Sequence, residues 1–188
     1  MLTETSPVGG PLPPIDLDTM VVGEEVTKNT EYSVPADACP MDLVDAARVT
    51  YADLASEDFA KTARAVTRVL DIVPPKLTRS LSKDTLWPPN HKLVDIAAAI
   101  TVTNCDHNPT VRLISITSNE PDNGLGDGDT ANDVQGAVPG TDDRQFRLRA
   151  ERSGAGTGRV YTIVYEAREA SGNRTQQQAT VRVPQSQK

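Results

Sequence analysis

Gln145-Phe146-Arg147-Leu148-Arg149-Ala150-Glu151-Arg152, then Ser153-Gly154-Ala155-Gly156-Thr157-Gly158, then Arg159-Val160-Tyr161-Thr162-Ile163-Val164-Tyr165-Glu166-Ala167-Arg168 is the stretch that decides the fold. Its first block alternates Phe146, Leu148 and Ala150 against Arg147, Arg149 and Glu151, the period of two of a strand with one buried face. Its last block sets Val160, Thr162 and Val164 opposite Tyr161, Ile163 and Tyr165, so both faces can be covered. The glycines between them resemble a phosphate cradle, but that chemistry needs a helix directly after the glycines, and here a strand follows. The segment reads as two strands joined by a hairpin connection.

Working outward, the same signals repeat. Leu93 to Val102 is one long apolar-rich run. Val111 to Ile116 is another, with Val111, Leu113 and Ser115 on one face and Arg112, Ile114 and Ile116 on the other. Ala179 to Val183 points Val181 and Val183 inward, after a turn at Ala170-Ser171-Gly172-Asn173. Weaker strand signals lie near Leu77–Leu81. Short strands separated by turns predict an all-β domain, a sandwich of immunoglobulin-like size. Asn173-Arg174-Thr175 is a sequon, meaningful only in a glycosylating host.

The first half is less regular. Residues 1–15 carry Pro7, Gly9, Gly10, Pro11, Pro13 and Pro14 and read as a flexible linker. Over 41–70, Leu43, Ala47, Tyr51 and Leu54, then Phe59, Ala63, Val66 and Leu70, recur within each group at three and four, the spacing of an amphipathic helix, and Ser56 is placed to cap a second one. Against the helix, Tyr51, Ala65, Arg68 and Val69 recur at one constant spacing as Tyr165, Ala179, Arg182 and Val183, and both copies end in Val-Pro. This favours strands, with a boundary at Val73-Pro74-Pro75.

The most charged segment is Ser118 to Asp133. Five carboxylates, Glu120, Asp122, Asp127, Asp129 and Asp133, lie in a stretch with no Lys or Arg between Arg112 and Arg144. Such a density repels itself unless a cation or arginines neutralise it. An EF-hand is excluded, because from Asp127 the fifth position is Ala131 and the glycine position is Asn132. An irregular calcium loop needs only roughly five to seven oxygens, which these side chains and backbone carbonyls can supply. The competing readings are a structural ion-pair network in which Arg149, Glu151, Arg152 and Arg159 take part, and a merely solvated loop.

Composition narrows the function classes. The net charge of −7 offers no basic stripe for nucleic acid. With one Trp, four Tyr and two Phe, a face of exposed rings for sugar binding has little to draw on. No apolar run reaches the length of a membrane span, and Met1 to Pro7 lacks the features of a signal peptide. Cys39 and Cys105 are a candidate disulfide that would stabilise by about 4 kcal/mol through loop closure, or else two unpaired thiols. Cys105-Asp106-His107 lacks the further ligands of a zinc site. His91 has no nucleophile motif beside it and reads as a packed or hydrogen-bonded histidine, not a base. No catalytic elbow or metal-hydrolase pair occurs, so no enzyme is expected. Trp87-Pro88-Pro89 is extended, and is expected to lay the one Trp against the domain as a plug.

Several segments together resemble tandem Ig-like modules of secreted and surface proteins of bacteria, related to the hyalin-repeat (HYR) type. They are Leu86-Trp87-Pro88-Pro89-Asn90-His91-Lys92, Ser118-Asn119-Glu120-Pro121, Gly126-Asp127-Gly128-Asp129, Leu148 to Gly154, Gly158 to Ile163 and Ala170 to Asn173. The resemblance covers 76–185 and implies an Ig-like β-sandwich there, after a smaller, diverged or partial module over 16–73. It implies a non-catalytic extracytoplasmic module for adhesion, display or assembly, secreted, surface-exposed or periplasmic. Its partners would be other modules of a larger surface protein or complex, with no nucleic acid and no direct membrane span. The alternatives are a carbohydrate-binding accessory module of a secreted hydrolase and an accessory subunit of a periplasmic or surface complex.

Overall fold

The structure, a computed structural model, describes residues 2–6, 10–11, 15–17, 19–29, 31–105, 108–124 and 130–186. The chain divides into two compact units, 1–71 and 72–188. All regular elements among the described residues are β-strands. None of those residues forms a helix long and apolar enough to cross a membrane.

The first unit holds β1 (Leu2–Ser6), β2 (Gly10–Pro11), β3 (Met41–Ala52) and β4 (Asp58–Val69), in one antiparallel sheet of order β2-β1-β3-β4. Two expectations are corrected here. Residues 1–15, read as a linker, supply β1 and β2: Leu2 to Ser6 contains neither Pro nor Gly, and Thr5 pairs with both Ala46 and Pro11. Pro11 is tolerated because β2 is an edge, where a missing N–H breaks no ladder on the outer side. The helix over 41–70 is replaced by a hairpin. Asp53 Oδ1 accepts the backbone N–H of Ala55 (2.8 Å) and of Glu57 (3.0 Å), and Ser56 sits at φ +65° instead of capping a helix. That side-chain turn stops any helix and sets β3 against β4 from Ala52↔Asp58 to Met41↔Val69 without a shift. Among the described side chains of this unit, Leu43 and Val69 are the buried apolar ones.

The second unit holds β5 (Lys76–Leu81), β6 (Leu93–Thr103), β7 (Thr110–Ser118), β8 (Val134–Gln135), β9 (Gln145–Arg149), β10 (Gly158–Arg168) and β11 (Arg174–Pro184). They form two antiparallel sheets, β5-β6-β9-β8 and β11-β10-β7, in a sandwich-like arrangement. One apolar core joins them. Leu77, Ile96, Ala98, Phe146 and Leu148 enter from the first sheet; Leu113, Tyr161, Ile163, Tyr165, Val181 and Val183 enter from the second. The edge strand β11 is covered by the segment before β6, where Leu86 N–H donates to Arg182 O and Arg182 N–H to Asp84 O, both 2.8 Å.

Three details depart from the sequence reading. β9 and β10 are not a hairpin: β9 bonds β6 and β8, whereas β10 bonds β7 and β11, so residues 150–157 carry the chain from one sheet to the other. On β7 the register slips opposite Val164/Tyr165, and Ile114 is the extra residue. This bulge lets both Leu113 and Ile116 meet the core while Ile114 is left outside, where strict alternation puts Ile116 with Ile114. The plug is Leu86 (1% exposed) and not Trp87 (40%), because pinning Leu86 on Arg182 turns its side chain inward and its neighbour outward.

Candidate functional site

The acidic segment leaves β7 at Ser118 and is fastened at both ends. Asn119 begins it: its Oδ1 accepts Val160 N–H at 2.6 Å and its Nδ2 donates to Gly158 O at 3.2 Å, so the loop is tied to the start of β10. Gly158 also lets β10 lie close against β11. It has φ +106°, and a Cβ there would stand 2.7 Å from Val183 O.

Glu120 follows, with Oε2 accepting Ser153 N–H at 2.8 Å and facing Arg159 Nε at 3.4 Å. Asp122 closes the other side of the loop on itself, its two oxygens accepting the N–H groups of Asn132 (2.9 Å) and Asp133 (2.7 Å). Asp133 ends the segment, 2% exposed, between two guanidinium groups: Arg149 Nε lies 3.1 Å from Oδ1, and Arg159 Nη1 donates to Oδ2. Arg159 is fully buried and also donates from Nη2 to Pro121 O (3.1 Å). Arg149 adds bonds to His91 O (2.9 Å), Ala131 O (3.1 Å) and Asn132 O (3.3 Å).

These two arginines stand on strands of different sheets, β9 and β10. A charge taken out of water is stable only when paired and hydrogen-bonded, and Asp133 with Arg149 and Arg159 meets that condition. Tyr161 completes the cluster: its ring lies 5.7 Å from the Arg159 guanidinium carbon, and its hydroxyl donates to Arg149 O at 2.9 Å. Burial pushes that hydroxyl above its usual pKa, with Arg159 opposing, so it stays a neutral donor.

The remaining residues singled out in the sequence lie elsewhere or do other work. Arg152 turns to backbone carbonyls at the end of β11, Pro184 O at 3.0 Å and Gln185 O at 3.1 Å. Glu151 is fully buried and holds His91, Nδ1 to Oε2 at 2.8 Å, with the other carboxylate oxygen, Oε1, buried and unpartnered. His91 keeps 51% of its side chain exposed and is at φ +63°. Among the described residues neither His91 nor Glu151 hydrogen-bonds a hydroxyl or thiol. Cys39 and Cys105 are each disulfide-bonded. Asp127 and Asp129 lie outside the described residues.

Guanidinium groups already face Glu120 Oε2 and both oxygens of Asp133. Both oxygens of Asp122 are likewise engaged by backbone amides. Among the described residues, no group of three or more metal-binding side chains converges. What the arrangement can do is mechanical: it locks the loop across both sheets. Two of its parts escaped the sequence reading, Asn119 and Tyr161. A tyrosine two residues into a strand that follows a glycine-rich connection was the signal for the second. Comparison of the chain with protein-family models, curated proteins and solved structures returns no match.

Proposed function

We propose that residues 72–188 are a non-catalytic Ig-like module of the HYR-related type, working outside the cytoplasm in adhesion, display or assembly of a larger surface protein. The observation that carries this reading is the use made of the charged residues. Arg149, Arg159, Glu120 and Asp133 pair with one another and with backbone groups, and so are spent on holding the fold.

Three further observations support it. The strand order β5-β6-β9-β8 against β11-β10-β7 corresponds to the A-B-E-D and C-F-G sheets of a constant-type Ig domain. The Tyr161 hydroxyl bonds back to Arg149 O near the start of β10, as in the tyrosine corner of such domains. Oxidised Cys39 and Cys105 are compatible with an oxidising compartment. Protease treatment of intact cells making the natural polypeptide tests the placement. Cleavage of this segment, with both cysteines resistant to alkylation, is expected; recovery in the cytosol with free thiols overturns the proposal.

The main fastening of the acidic loop in this proposal is the arginine lock, with calcium as an addition confined to the segment of Asp127 and Asp129. Melting curves in chelator and in millimolar calcium rank the two. The shift should be smaller than that from Arg159→Ala; a larger one, abolished by Asp127→Asn with Asp129→Asn, reverses the order.

A carbohydrate-binding accessory role is the second reading, favoured by one feature. Trp87 borders an open groove of about 310 Å³ together with Lys83, Asn90, Lys92 and Asp95. A glycan screen that finds a ligand lost in Trp87→Ala would put this reading first.

A further inference from the structure

The first unit carries its own surface, independent of the Ig-like reading of 72–188. β4 is an edge strand, bonded among the described residues to β3 alone. Residues 58–68 are all exposed, with Phe59 at 43% and Val66 at 63%. It has no Pro, no Gly and no register shift against β3, so the usual devices that blunt an edge reduce to its charges.

The hairpin fixes which backbone groups point outward. Asp53 N–H donates to Glu57 O at 3.1 Å, and these residues continue the β3–β4 register, so they are a hydrogen-bonded pair. Such pairs alternate along an antiparallel ladder. The odd-numbered residues of β4 therefore bond β3, and Asp58, Ala60, Thr62, Arg64, Val66 and Arg68 turn their N–H and C=O groups to the free side.

We propose that β4 is a self-assembly edge, pairing antiparallel with β4 of a second copy of this chain about a two-fold axis at Ala63. Pairing of two identical edges must set even residues against even ones, so only registers centred on a residue are allowed. Centring on Lys61 or Arg64 puts that cation directly against its own copy, a destabilising pair. Centring on Thr62 or Ala65 ends the ladder at 58↔66 or 61↔69 and makes no ion pair. Centring on Ala63 gives 58↔68, 60↔66, 62↔64 and 63↔63. It places Asp58 opposite Arg68 twice, and sets Lys61 against Ala65 and Arg64 against Thr62. The small side chains Ala60, Ala63 and Ala65 leave the two backbones free to approach. The charges that keep an edge from indiscriminate pairing thus select one register.

Sedimentation of the full chain over a concentration series tests the proposal, with a monomer–dimer equilibrium expected. Arg68→Asp turns two attractions into two repulsions and should weaken the dimer about tenfold or more. Asp58→Arg combined with Arg68→Asp should restore it, which a merely misfolded variant would not do. Ala63→Cys should cross-link the dimer under oxidation and Ala60→Cys should not, because only position 63 meets its own copy. A monomer at every concentration, a dimer indifferent to Arg68→Asp, or cross-linking through Ala60→Cys in place of Ala63→Cys overturns the proposal.

Discussion

The two units use the same element, the long antiparallel strand, and come to different ends. In 72–188 each strand with an apolar face finds a second sheet to bury it, and Tyr161, Ile163, Tyr165, Val181 and Val183 are fully enclosed. In 1–71 the described strands form one sheet, and Val44, Tyr51, Phe59 and Val66 are exposed. Tyr51 and Phe59 cover one another instead, stacked with ring centroids 5.4 Å apart. Alternation makes a strand, but only an opposing layer makes a core. Arg159 and Asp133 are held between strands of the two sheets of the second unit.

The largest break in this contrast should come from Arg159→Ala. It leaves Asp133 and Glu120 facing a void without their buried partner, a loss of about 3–5 kcal/mol. Trp87, the one tryptophan, belongs to the second unit, so its fluorescence in a denaturant titration reads that loss. Leu113→Ala should cost about 2–5 kcal/mol by the same measurement, since its side chain is fully enclosed. An unchanged midpoint for either variant would mean that the two sheets do not share the core described.

Gly158→Ala comes next, at roughly 1–3 kcal/mol, because φ +106° and the close Val183 carbonyl both oppose a side chain. A midpoint equal to that of the parent chain would sink the account of the close approach of β10 to β11 at Gly158.

The pH response should be smaller and confined to the alkaline side. Burial pushes the Tyr165 hydroxyl, which donates to Asp143 O, up from 10.0 to about 12. A raised pKa for an acid means that the folded state favours the neutral form. Its contribution is complete below the unfolded value near 10 and is lost as pH climbs toward about 12. Tyr165→Phe should flatten stability across that window, and an unaltered slope would contradict it.

The smallest effect is expected in the first unit. Val66→Ala, on the exposed strand β4, should shift stability by no more than about 0.5 kcal/mol when hydrogen exchange of the β3–β4 amides is followed. A loss comparable to that of Leu113→Ala would show that a second layer covers this sheet.

Some of this was written in the residues themselves. The alternation in 145–149 and 158–168, the inward Val181 and Val183 and the turn at Ala170 to Asn173 are local properties, set by the period of the strand and by turn chemistry. So is the density of negative charge in the acidic segment, where five carboxylates stand without an intervening cation. The pairing of those charges is different in kind. Arg149, Arg152 and Arg159 look alike in sequence, yet two meet Asp133 and one meets the carbonyls of Pro184 and Gln185, because β9 and β10 bring Arg149 and Arg159 together while the connection between them carries Arg152 to the end of β11. The same holds for the crossing at 150–157, read as a hairpin although its strands belong to separate sheets, and for Leu86 displacing Trp87 as the plug. Side-chain periodicity is decided by neighbours along the chain. Sheet membership, burial and ion-pair choice are decided by residues far apart in it, and only the tertiary structure brings those together.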